Sequence, residues 1–123
     1  MHTTRIMLKA ARGYAFIRLE EILYFKSSDK YAEMHLHDGR MMMVFHSLAE
    51  LERRLCGSKA GSPCCFVRLH RQYIVGVHHA EWLSEGCRVQ LEGGAEVPVS
   101  RSGFKTLKTR YMSAHDAVWQ VAT

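Results

Sequence analysis

The chain has 123 residues and a mass of 14.1 kDa, with 17 Lys and Arg against 12 Asp and Glu, a formal charge of +5 and a pI near 9.2. That is the length of one ordinary domain able to close a core, and 47% hydrophobic with 24% charged residues excludes a disordered tail, a collagen-like repeat or a long coiled coil. The positive surplus fits an acidic partner, nucleic acid or an anionic membrane surface, and does not choose between them.

Met1 to Arg12 carries Arg5, Lys9 and Arg12 but no apolar run leading to a small-residue cleavage site, so it does not read as a secretory signal. The longest strongly apolar run, Met41 to Phe45, falls far short of the roughly 20 residues that span a bilayer. The expectation is a cytoplasmic protein without a membrane segment, in which Cys56, Cys64, Cys65 and Cys87 are reduced. No C-x-x-C spacing occurs, and the adjacent Cys64 and Cys65 are poorly spaced to share one zinc ion. They read as buried inert thiols rather than a redox switch.

In chain order, Ile6 to Lys9 and Tyr14 to Leu19 read as short extended segments separated by the turn-prone Arg12-Gly13. Ile22 to Lys26 (ILYFK) reads as a strand buried on both faces, broken by Ser27 to Lys30. Tyr31 to His37 alternates, with Ala32, Met34 and Leu36 on one face and Tyr31, Glu33, His35 and His37 on the other. Asp38-Gly39 is a hairpin signal, and Arg40 to Phe45 is the return strand. Ser47-Leu48-Ala49-Glu50 has capping-box spacing, which predicts a helix from Leu48 to Leu55 with Leu48, Leu51 and Leu55 inward. Cys56 to Pro63 is a loop by composition. Phe66 to His70, Tyr73 to Val77, Ala80 to Leu83, Cys87 to Leu91 and Ala95 to Val99 complete the strands; Ser84-Glu85-Gly86 and Gly93-Gly94 are turns, and Pro98 favours a sheet edge. Ser100 caps a last helix with Phe104, Leu107 and Tyr111 on one face and Lys105, Lys108 and Arg110 on the other. The pattern predicts a mostly-β domain with two small peripheral helices over residues 1–123, its core at about 5–110 and a C-terminal tail at 113–123.

The charges are segregated. Arg53 to Ala80 holds Arg53, Arg54, Lys59, Arg68 and Arg71 and no acid; Val97 to His115 holds Arg101, Lys105, Lys108 and Arg110 and again no acid. Between them lie Glu81, Glu85, Glu92 and Glu96, expected to face away from any phosphate. Loop-borne Arg, and Ser at a helix start, suit phosphate and base-edge contact; a solvated basic face without a partner is the bland counterpart.

With these residues in view, the sequence resembles the LytTR family of DNA-binding domains. Leu19 to Phe25 (LEEILYF), Lys30-Tyr31, His37 to Arg40 (HDGR), Ser47 to Glu52 (SLAELE), Phe66 to Val75 (FVRLHRQYIV) and Val97 to Arg101 (VPVSR) follow the family's order. R-x-H-R and P-V-S-R are its most specific pieces. Gln72 departs from the usual Ser, and Gly76 from the usual Asn, where glycine is expected to loosen the turn.

The resemblance implies short antiparallel sheets with small helices, and loops that enter successive major grooves of double-stranded DNA, usually on paired direct repeats. A homodimer on DNA is possible by that analogy, although no residue marks a dimer surface. It places recognition loops at Asp29 to Ala32 with Lys30 and Tyr31, at His70-Arg71, and at Ser100-Arg101. Ala32 stands where some members carry a base-contacting His. Arg71 and Arg101 are the candidates for bidentate contact to guanine; Lys30, Arg68, Lys105 and Lys108 read as phosphate clamps. Arg68 equally suits a structural ion pair, and His70 either touches phosphate or holds its loop through the backbone. The expectation is a module without the receiver domain that often precedes it, either excised from a longer regulator or standalone.

Rival readings are weaker. No motif sets a nucleophile beside a base, so no enzyme and no cofactor is expected. His35 with His37, and His78-His79, lack a matched second pair, so no metal is expected and these His read as solvent-facing. Tyr14, Phe16, Tyr24, Phe25 and Tyr31 could stack single-stranded bases, but the strand pattern is expected to bury most of them. A non-enzymatic protein-interaction or single-stranded nucleic-acid module is the remaining alternative.

Overall fold

The alternation in Tyr31 to Leu36 places Ala32, Met34 and Leu36 fully inside, and around this strand the chain builds its principal sheet. The computed structural model describes residues 5–56, 66–85 and 87–112. Lys59, Cys64, Cys65, Gly86 and the tail at 113–123, on which sequence expectations rest, lie outside the described residues.

Strands β1 (Arg5–Ala10), β2 (Gly13–Arg18), β3 (Ile22–Ser28), β4 (Tyr31–Leu36), β5 (Met41–Val44), β6 (Phe66–His70) and β7 (Tyr73–Gly76) form a seven-stranded sheet ordered β2-β1-β5-β4-β3-β7-β6. Every pairing in it is antiparallel. β8 (Ala80–Leu83), β9 (Arg88–Leu91) and β10 (Glu96–Pro98) form a second antiparallel sheet, with Pro98 on an edge strand as its missing N–H requires. Helix α1 (Leu48–Leu55) and helix α2 (Arg101–Tyr111) complete the mostly-β architecture that the sequence pattern predicts.

The two faces of the large sheet feed separate cores. Phe25, Met34, Leu36, Phe66 and Ile74 pack under Leu48, Leu51 and Leu55 of α1. Leu23, Val67, Leu69 and Val75 pack against Val89, Leu91 and Val97 of the second sheet and against Leu107 of α2. β3 is therefore buried on both faces, as expected. A bulge between Ile22 and Tyr24 explains why Ile22 and Phe25, three residues apart, reach the same core.

Local chemistry fixes the ends. The Glu50 amide donates to Ser47 Oγ at 3.1 Å, while the Glu50 carboxylate lies 3.1 Å from a His46 ring nitrogen instead of returning to the Ser47 amide. Asp38 Oδ1 accepts from the Arg40 amide and Oδ2 from Arg40 Nε, bonds that hold this carboxyl below its usual range at the tip of the β4–β5 hairpin.

Two expectations need correction. Gly76 does not loosen its turn: it is buried, and an added Cβ would lie 2.7 Å from both the Ile22 carbonyl oxygen and His78 Cε1. Tyr14 and Phe16 are 59% and 65% exposed on the edge strand β2, with Lys9 Nζ over the Tyr14 ring at 5.2 Å. Phe104 and Tyr111 are only partly covered, and border an open groove between α2 and β8 floored by Leu69 and Val89.

Candidate nucleic-acid interface

Antiparallel pairing brings the β3–β4 turn, the β6–β7 turn and the start of α2 to one end of the large sheet. β3 lies between β4 and β7, so the turn at Asp29-Lys30 and the turn at Arg71-Gln72 are neighbours. The Ser27 amide donates to the Gln72 carbonyl at 2.9 Å and ties them together. The Ser100 amide donates to the Leu69 carbonyl at 2.7 Å and brings the third segment alongside. These are the three segments that the sequence motifs single out.

Within them the side chains divide into those that build the surface and those left available. Arg68, half-buried on β6, donates through Nη1 to Glu52 of α1 at 2.8 Å, and through its other nitrogens to the carbonyls of His70 and Arg71. Its guanidinium braces the turn, so the ion-pair reading fits its contacts better than the phosphate clamp. His70 Nδ1 accepts the Gln72 amide at 3.1 Å, so one side of its ring holds the loop. Gln72 engages its neighbours here through its backbone N–H and carbonyl. Tyr73 meets the His70 ring edge-on and tilts against Tyr24, whose phenol is raised above its usual value by burial and then by Tyr73 and Glu33.

Tyr31 is half-buried and stacks on Phe45 with centroids 4.7 Å apart, while Lys30 Nζ sits over its ring at 5.8 Å. Asp29 takes a left-handed φ of 58°, which an Asp tolerates in a tight turn, and leaves Lys30 exposed at the tip. Arg71, Arg101 and Lys105 are exposed, and no hydrogen bond or ion pair among the described residues engages their side chains. Lys26, exposed on β3 one residue before the Ser27 tie, adds a cation that the motifs did not mark. Its signal was present: a lysine ending an otherwise apolar strand.

The start of α2 is capped by its own Ser100. Ser100 Oγ accepts the Gly103 amide at 3.0 Å and donates to the Leu69 carbonyl at 3.2 Å. Helix α1 places Glu50 in its first turn, where a carboxylate offsets the positive helix end. Helix α2 has no acid there and carries Arg101 instead, so positive charge stands on the positive end of the dipole. Lys108 sits over the Phe104 ring at 5.3 Å, and lies about 12 Å further along the helix than Ser100, the most remote of the expected contacts. Arg110 is committed to the backbone carbonyls of Phe66 and Cys56.

Of the acidic residues of the second sheet, Glu81 lines the groove beside α2 together with Lys108. Glu96 pairs with Arg88, Glu81 and Glu85 are exposed on the second sheet and its turn, and Glu92 is held by His37 and His79 at the opposite end of the large sheet.

A family model for the LytTr DNA-binding domain matches residues 12–112. No curated protein matches the chain. Among solved structures, it is similar to the LytTr DNA-binding domain of a protein from Bacillus cereus described as a methyl-accepting/DNA response regulator. The TM-score is 0.68 at 22% identity, with 88% of this chain and 96% of the other covered, which is a likeness of fold.

Proposed function

Because the chain belongs to the LytTr family of DNA-binding domains, we propose that it is a sequence-specific double-stranded DNA reader that works in the cytoplasm as a transcription regulator and contacts successive major grooves with its loops. One observation carries the reading. The three segments with family motifs converge at one end of the sheet, and the cations they present there, Lys30, Arg71 and Arg101, are exposed and without an acidic partner among the described residues. Arg71 and Arg101 carry the forked donors that match guanine; Lys26, Lys30, Lys105 and, more remotely, Lys108 supply phosphate contact. Ser100 and His70 position these loops, and Tyr31 supports Lys30. No catalytic role is assigned. Two protomers on paired direct repeats extend the same reading.

Selection from a randomised duplex library tests it. An enriched motif that Arg101→Ala relaxes at one base pair is expected; a library without enrichment overturns sequence reading. The exposed Tyr14 and Phe16, beside Met7 on β1 and with Lys9 over the Tyr14 ring, favour a second reading of that face as a protein-interaction or single-strand stacking surface. Phe16→Ala separates the two, because duplex affinity survives it under the first reading.

A further inference from the structure

At the end of the large sheet away from the proposed DNA loops, three residues from separate segments converge. His37 follows β4, His79 ends the 3-10 turn Val77–His79 before β8, and Glu92 opens the 3-10 turn Glu92–Gly94 after β9. Glu92 Oε1 lies 3.0 Å from His37 Nε2 and 2.9 Å from His79 Nδ1, and the donor atoms of all three lie within 4.8 Å of one another. The rings of His37 and His79 stack with centroids 4.9 Å apart.

The second ring nitrogen of His79 decides what this cluster can hold. His79 is buried, and its Nε2 lies 2.6 Å from the Glu20 carbonyl oxygen, which can only accept. Nε2 therefore carries the hydrogen, and Nδ1 directs its remaining position at the Glu92 carboxylate. A nitrogen lone pair and a carboxylate oxygen face each other at this distance only with a cation between them, a proton or a metal ion. The arrangement of an imidazole ligand whose other N–H is fixed by a backbone carbonyl is the outer-shell support that metal-binding His residues use. The ligand-bearing segments are pinned as well: the His37 amide donates to the Glu21 carbonyl at 2.7 Å, and the Leu91 amide to the Ala95 carbonyl at 2.8 Å.

We propose that His37 Nε2, His79 Nδ1 and the Glu92 carboxylate form a binding site for a divalent transition metal of the zinc class. Two imidazoles and one carboxylate are a borderline-soft donor set that suits such ions and not Ca²⁺ or Mg²⁺. Metal–ligand bonds of this kind place donors about 3.4 Å apart in a tetrahedron. His37 is exposed and Glu92 half-buried, and rotation of these two side chains about their own bonds brings their donor atoms to that spacing around the buried His79. The fourth position stays open to water. The site joins the β4–β5 hairpin of the large sheet to the second sheet, so a bound ion staples the two sheets together without touching the DNA loops.

Cobalt(II) titration of the intact, reduced chain tests this directly. The expected result is one ion per chain, visible d–d bands of a low-coordinate site and no near-ultraviolet thiolate charge-transfer band. His37→Ala and Glu92→Gln each weaken binding by about tenfold or more, whereas His35→Ala, on the neighbouring strand position, leaves it unchanged. Zinc raises the thermal midpoint of the wild-type chain and of His35→Ala but not of His37→Ala. DNA affinity of His37→Ala in chelated buffer equals that of the wild type, so failure of the metal site and failure of the DNA reading are separable. Absence of bound cobalt, a thiolate band, or wild-type affinity in both His37→Ala and Glu92→Gln overturns the proposal.

Discussion

Gly103 lies directly against Leu69: a Cβ on Gly103 would stand 2.2 Å from the Leu69 carbonyl oxygen, the same oxygen that receives both the amide and the hydroxyl of Ser100. One backbone carbonyl of β6 thus sets where α2 begins and how closely it approaches the sheet, and thereby where Arg101 stands.

Gly103→Ala is expected to destabilise the domain even though alanine is the better helix former. The helix-propensity gain is about 1 kcal/mol. Overpacking against a backbone carbonyl, which cannot rotate away, costs about 1–3 kcal/mol. A net loss in urea denaturation, together with weakened specific DNA binding as the helix start shifts, is the predicted result; a more stable variant would show that α2 slides without cost.

Arg68 and Glu52 give a second prediction with a definite sign. With Arg68 as a brace for the β6–β7 turn, Glu52→Ala removes one of its anchors. It lowers stability by less than about 1 kcal/mol, as befits a part-exposed ion pair. The salt dependence of DNA binding then stays unchanged. If Arg68 were instead a phosphate clamp held back by Glu52, freeing it would steepen the slope of log K against log salt by about one unit.

Arg101 and Lys105 separate specificity from affinity along one helix. Arg101→Ala should cost about 1–3 kcal/mol on the selected duplex and little on random DNA, because a guanine fork is lost. Lys105→Ala should weaken both duplexes alike and flatten the salt slope by about 0.9. Fluorescence anisotropy across a salt series reads both, and exchanged behaviours would reverse the assigned roles.

The order of elements was legible because each carries a local signal. Alternation marked β4, Ser47 and Glu50 marked α1, and Asp38-Gly39 marked a hairpin. The interface was legible as segments, since the motifs sit on the turns themselves. What could not be read was which side chains remain free. Arg68 and Arg71 are equivalent as letters, and only the packing of α1 on β6 puts Glu52 beside the first. The cluster of His37, His79 and Glu92 was illegible for the same reason: sequence places its members 42 and 13 positions apart, and the expectation of solvent-facing His considered only neighbours. A tertiary contact between sheets leaves no period in the chain.

Gly76 provides the last test, of a glycine with no space for a side chain. Its Cβ space is occupied on one side by the Ile22 carbonyl and on the other by the His78 ring, which also meets Phe66 edge-on at 5.5 Å. Gly76→Asn, the residue that the resemblance to the family implies at this position, should therefore destabilise this chain by about 1–3 kcal/mol. The ring is movable and the carbonyl is not. His78→Ala in the Gly76→Asn background should recover part of the loss, giving a coupling of at least about 0.5 kcal/mol in a double-mutant cycle. Strict additivity would mean that the Ile22 carbonyl alone excludes the side chain, and a neutral Gly76→Asn would mean that β3 and β7 separate more readily than their packing implies.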